Sequence, residues 1–228
     1  IPTTFSQTTI TWNNMAIGTY NPLADNIPVA VPDLTTYPGD HYYEIAAVNY
    51  TQYLHKDLQK ATNLRGFVQI YGKDAAGNPL YNVADVHHLG PVIFAKRDVP
   101  VRVKFYNLLD TTIQNGKLPI PCDTTIMGAG KGPNGTEEMY SQNRVVIHLH
   151  GGNTPWTSDG TPQQWVTPKD QITDYKQGVS VIPVGDMPQP QVGDGTHTYY
   201  YTNDQTCRFM WYHDHSLGIT RLNVWMGI

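Results

Sequence analysis

The chain has 228 residues, 39% of them hydrophobic, which is enough material for one large or two small domains with a proper core. Fifteen basic residues against 19 acidic ones give a net charge of -4, with no Lys/Arg run long enough to track phosphates, so nucleic acid is not an expected partner. No apolar run approaches the ~20 residues of a membrane helix, and no membrane partner is expected either.

Residues 1–40 carry Pro2, Pro22, Pro28, Pro32 and Pro38 and little periodicity, which predicts an extended N-terminal arm with one short strand over residues 8–12. The first firm strand is expected at residues 42–50, aromatic and β-branched, and the main domain is taken to run over residues 41–228. A short helix is expected within residues 51–61. Residues 66–72 read as a strand and residues 74–79, Asp-Ala-Ala-Gly-Asn-Pro, as a turn. Strands follow at residues 91–97 and 101–106. In the latter, Val101, Val103 and Phe105 alternate with Arg102 and Lys104, the pattern of a half-buried strand. Residues 111–143, rich in Gly, Pro, Asn and Thr, form a long loop that Cys122 is placed to pin. Residues 198–202 and 208–212 are expected to pair as a hairpin around Asn203-Asp204-Gln205. The whole reads as all-β with long loops, a Greek-key sandwich.

Cys122 and Cys207 are the only cysteines, either one disulfide or two free thiols, and neither lies between histidines. Asn49-Tyr50-Thr51 and Asn134-Gly135-Thr136 are glycosylation sequons, and the chain begins at Ile1. Both features fit a processed, secreted or extracellular protein.

The chemistry sits in two apolar runs, Val146-Ile147-His148-Leu149-His150-Gly151-Gly152 and Phe209-Met210-Trp211-Tyr212-His213-Asp214-His215. Each holds a His-x-His. Alternate residues of a strand share a face, so each pair projects two imidazoles the same way, about 6.5 Å apart. One such histidine is ordinarily a hydrogen-bonded structural residue. Four of them on two otherwise buried strands need a shared reason, because burying an unpartnered imidazole is costly. An all-imidazole set suits copper or zinc, not magnesium or calcium. His55, His87 and His88 read as loop histidines, since adjacent strand residues face opposite ways.

With these motifs the chain resembles the N-terminal cupredoxin domain of a multicopper oxidase, on the branch of the bacterial spore-coat laccases and bilirubin oxidases. The matching residues are His148-Leu149-His150-Gly151-Gly152, Ser158-Asp159-Gly160, and Trp211-Tyr212-His213-Asp214-His215-Ser216 with Gly218-Ile219-Thr220-Arg221-Leu222-Asn223-Val224. The resemblance implies a cupredoxin-like sandwich in which His148 binds a type 2 copper, and His150, His213 and His215 bind a coupled type 3 pair. It implies oxidation of phenolic or similar reductants with reduction of O2 to water, and a proton-delivering role for Asp159. Residue type alone also allows Asp159 to be a turn former before Gly160. Asp214, between two ligands, points to the other strand face and is expected to make a structural hydrogen bond.

The family's remaining cluster histidines and its type 1 copper site have no counterpart in these residues. A second polypeptide is therefore expected to carry the other cupredoxin domains, in a heterodimer, and to complete the sandwich with a final strand. A copper nitrite reductase is disfavoured because it carries a cysteine where this chain has Asp214. A stand-alone cupredoxin-like metal-binding or structural domain without oxidase activity is the alternative.

Overall fold

The computed structural model describes residues 8–12, 15–20, 28–55, 57–112, 116–133 and 138–228. Its strands are β1 (Thr8–Trp12), β2 (Met15–Tyr20), β3 (His41–Gln52), β4 (Thr62–Gln69), β5 (Gly72–Lys73), β6 (Pro79–Leu80), β7 (Val101–Asn107), β8 (Ile147–His150), β9 (Thr196–Tyr201) and β10 (Trp211–Asp214). Among the described residues one α-helix, α1 (Thr220–Met226), follows β10. The fold is all-β, with open sheets that fit the expected cupredoxin-like sandwich.

The main sheet has the order β4-β3-β7-β9, with β3 and β7 parallel at its centre and the two outer pairings antiparallel. β3 alternates between two cores. Tyr43, Ile45 and Ala47 join Val101, Val103, Phe105, Tyr199 and Tyr201 on one face, where Val145, Val146, Ile147 and Trp165 pack over them. Ala46 and Val48 meet Val68, Ile70, Val86 and Tyr106 on the other face. A strand covered on both sides needs apolar residues at every position, which is why residues 42–48 read as a continuous run. The second layer holds β8 and β10, paired with each other, and the Ile147 N–H donates to the Tyr199 hydroxyl at 3.0 Å to tie the layers together.

Several expectations change. The polar face of β7 is covered: Arg102 is 9% exposed, its guanidinium lies 4.6 Å from the Tyr37 ring and 4.7 Å from the Tyr200 ring, and it pairs with Asp40 and Asp186. β9 and β10 are not a hairpin. Tyr199 and Tyr201 belong to the main core, so β9 pairs with β7, while the histidine strand joins β8 in the other layer. Residues 91–97 form no strand beyond a bridge of Val92 to Val29. Among the described residues of 51–61 there is no helix, because Thr51 and Gln52 extend β3.

The N-terminal strand at Thr8–Trp12 is present but pairs with β2 as a hairpin. The turn at residues 74–78 is as expected, with Asp74 Oδ1 accepting from the Ala76 and Asn78 amides. Cys122, partly buried, and Cys207, exposed, are both free thiols, so Cys122 pins nothing covalently. Asn49 accepts a hydrogen bond from the Asp110 amide, and the sequon at Asn134 lies outside the described residues.

Candidate metal centre

β8 and β10 run antiparallel with His213 opposite His148 and Trp211 opposite His150. The ladder ends where the His215 N–H donates to the Val146 carbonyl at 3.3 Å, so the histidine after β10 stays beside β8. The pairing turns two chelating strands into one patch. Ring centroids lie 4.8 Å apart for His148 and His215, 5.4 Å for His150 and His213, 5.6 Å for His148 and His213, and 5.8 Å for His213 and His215. One nitrogen from each of His148, His150 and His213 lies within 4.8 Å of the others, a limit wider than the roughly 3.4 Å between two nitrogens on one tetrahedral ion, so the rings would draw in to share one. His150 Nδ1 and His213 Nε2 are 3.1 Å apart.

Backbone carbonyls set two of the rings. His148 Nδ1 donates to the Asp159 carbonyl, and His213 Nδ1 donates to the Asp214 carbonyl at 2.7 Å. A carbonyl only accepts, so in both rings Nδ1 carries the proton and Nε2 keeps its lone pair for an electrophile. His215 Nδ1 is buried with no partner, and burial, followed by the neighbouring His148 and His213, lowers its pKa. An orphaned buried imidazole nitrogen among three other imidazoles fits a metal ligand. Trp211 stands against the open side of the patch, 5.3 Å from the His150 ring and 5.6 Å from that of His213. A cleft of about 360 Å³ opens there between His150, Phe209 and Trp211.

The expected acid is close by. Asp159 follows a short 3-10 turn, Trp156–Ser158, and its Oδ1 accepts from Thr154 Oγ1 at 2.9 Å and lies 3.7 Å from His148 Nδ1. Its side chain is 36% exposed, so it touches both solvent and a cluster histidine. Gly160 lets this turn reach β8. Its φ is +70°, and a Cβ there would meet the Ile147 carbonyl oxygen at 1.9 Å.

Behind the imidazoles lies a polar network that the sequence barely signals. Asp214 is fully buried, as are Ser216 and Asn223, and Arg65 and Arg144 are 1% and 0% exposed. Arg65 donates to Asn223 Oδ1 at 2.6 Å, to the Gln142 carbonyl and to Asn143 Oδ1, and Arg144 donates to the Gly128 carbonyl. Burial pushes both guanidiniums down to about 10, against the pull of the Asp214 charge, and they stay cationic at neutral pH. The Asp214 carboxyl is raised by burial, an effect that its hydrogen bonds from Asn223, Ser216 and Val146 oppose. The available signal is the position of Arg144 and Asn223 inside apolar segments that end up in the core. The other histidines stay out of the cluster. His55 is exposed, His87 and His88 lie in a loop, and His197 is buried, stacked 4.5 Å from the Tyr199 ring.

No protein-family model matches the chain. It is 32% identical over 187 residues to a laccase of Bacillus subtilis, which covers 82% of this chain and 28% of that protein. It is 30% identical over 204 residues to a laccase of Bacillus stratosphericus, covering 89% of this chain and 30% of that protein. A multicopper oxidase of rice, LPR1 homolog 1, is 30% identical over 174 residues, covering 76% of the chain and 23% of its own length. The chain thus spans less than a third of the curated relatives it matches. The crystal structure of a laccase from Pediococcus acidilactici superposes with a TM-score of 0.48 at 18% identity, over 89% of this chain and 28% of that one.

Proposed function

We propose that this chain, a relative of the laccases and multicopper oxidases over 82% of its length, holds part of the copper centre of an oxidase. That oxidase takes electrons from phenolic or similar reductants and reduces O2 to water. His148 is the type 2 ligand, and His150, His213 and His215 serve the coupled type 3 pair. The remaining ligands and the type 1 copper lie outside these residues, on the same or a second polypeptide. The observation that carries this reading is the β8–β10 register, which sets His213 opposite His148 and gathers the His148, His150 and His213 nitrogens with no carboxylate or thiolate among them, the His215 ring lying 4.8 Å from that of His148. That donor set fits copper.

Copper bound by His148, His150, His213 and His215 would supply one-electron chemistry between Cu(II) and Cu(I), several ions together storing the electrons that O2 needs. The chain's own residues hold and orient. His148 and His213 present Nε2 because backbone carbonyls occupy Nδ1. Trp211 packs beside His150 and His213 on the open side of the patch and helps to hold their rings. Asp159 Oδ1, between solvent and His148, passes protons inward.

Replacing His213 by Ala in the active protein is expected to deplete type 3 copper, seen as loss of its near-ultraviolet absorption and a lowered copper count, and to stop O2 uptake. Full copper occupancy with unchanged O2 reduction overturns the assignment.

A further inference from the structure

We propose that Asp214 is the positioning residue of the four-histidine cluster, its carboxylate locking the two ligand strands in register while its carbonyl sets the His213 tautomer. This rests on the copper reading above and adds a role for a residue that touches no metal. The carboxylate offers about four acceptor sites, and all are used. Oδ1 accepts from the Val146 N–H at 2.9 Å and from Ser216 Oγ at 2.7 Å. Oδ2 accepts from the Ser216 N–H at 3.1 Å and from Asn223 Nδ2 at 2.8 Å.

The donors matter by position. Val146 immediately precedes β8, and Ser216 immediately follows His215, so one side chain clamps the entry of one histidine strand to the exit of the other. A slip of one residue would turn every imidazole of a strand to its other face, and this clamp opposes the slip where the ladder is only four residues long. Asn223 extends the hold to α1, since its Nδ2 also donates to the Arg144 carbonyl at 3.1 Å and its Oδ1 accepts from Arg65. The carboxylate at the centre of this network is buried with every acceptor site used, which holds it in one position. A purely structural salt bridge would need a guanidinium on the carboxylate. Here the carboxylate takes its bonds from the ligand strands and α1.

The test compares Asp214→Asn, Ser216→Ala and a core control, Phe105→Leu, with the unaltered protein in its complete, active form. Asp214→Asn keeps the shape but sets an N–H against the donors. Ser216→Ala leaves the carboxylate and removes one donor, and it decides the matter if Asp214→Asn does not fold. Copper affinity is measured by chelator competition, the Cu(II) hyperfine pattern by paramagnetic resonance, and the His213 tautomer by nitrogen NMR of metal-free protein. Both network variants are expected to lose roughly 10–100-fold in copper affinity, as outer partners of metal-bound histidines do, and to show an altered hyperfine pattern; because release of the clamp lets β10, and with it the Asp214 carbonyl, shift away from His213 Nδ1, a mixed His213 tautomer is expected as well. Phe105→Leu, with a comparable loss of thermal stability, is expected to leave all three readouts in place. Affinity and tautomer within twofold of the unaltered protein, or equal changes in Phe105→Leu, overturn the proposal. If the unaltered protein binds no copper, the copper reading fails while the tautomer measurement still decides the role of Asp214.

Discussion

At the scale of single residues, the histidines divide by what lies behind them. His148 and His213 have Nδ1 on backbone carbonyls, whereas His197 Nε2 has no partner and its ring lies in the core against Tyr199. Burial holds the His197 pKa at about 4 against an ordinary 6.5. The folded protein therefore refuses a proton that the unfolded chain accepts, and the sign follows: stability is complete above pH 6.5 and falls as pH drops from 6.5 to 4, by about 3 kcal/mol at most. Urea unfolding at pH 7, 5.5 and 4 is expected to show this slope, and His197→Phe to flatten it. An unchanged slope in that variant would place the acid sensitivity elsewhere. Asp159 has a different test. With Oδ1 at 3.7 Å from His148 Nδ1 and a partly exposed side chain, Asp159→Asn is expected to lower turnover about tenfold or more and to shift its pH profile while copper is retained. Unchanged turnover and profile would leave Asp159 as a turn former only.

At the scale of elements, the histidine cluster depends on the antiparallel pairing of β8 with β10 and on the loop after β8 folding back beside it. Residues 151–160 return to the strand so closely that Gly160 packs its α-carbon against the Ile147 carbonyl, in a left-handed conformation. Gly160→Ala adds both strain and a backbone clash and is expected to cost about 3 kcal/mol, with β8 displaced and metal affinity lowered together. Urea denaturation and copper titration of the same sample check this, and a loss of stability without a loss of affinity would uncouple the loop from the site. The pairing of β8 with β10 was legible only in part. Period-two histidines showed that each pair shares a face, but nothing local indicates which strands become neighbours. The hairpin expected around Asn203 fails for that reason. Residues 198–202 and 208–212 suit adjacent antiparallel strands equally well, and only the burial of Tyr199 and Tyr201 against β7 separates them.

At the scale of the whole molecule, the all-β class and the four histidines could be read because alternation and His-x-His spacing are local. Two features could not, because each joins residues far apart in sequence: the covering of Arg102 by Tyr37 and Tyr200, and the Asp214–Asn223–Arg65 network. α1 is local, but at seven residues with no side-chain cap at Ile219 it carries too little pattern to announce itself. Three imidazoles are the number that holds a zinc with one position open, and the His148, His150 and His213 nitrogens lie within 4.8 Å of one another. Electron entry is another matter, because neither Cys122 nor Cys207 belongs to that cluster or lies between histidines, and the thiolate site of a blue copper has no residues here. The 228-residue chain prepared by itself is therefore expected to bind Cu(II) or Zn(II) through His148, His150 and His213, to lose that binding in His150→Ala, and to show neither blue absorption nor reductant-driven O2 uptake. Native mass spectrometry with and without metal, beside an oxygen electrode, measures both halves. Steady O2 consumption by this chain with no other polypeptide present would mean that the four imidazoles form a complete centre, and the reading of them as part of a larger one would fall.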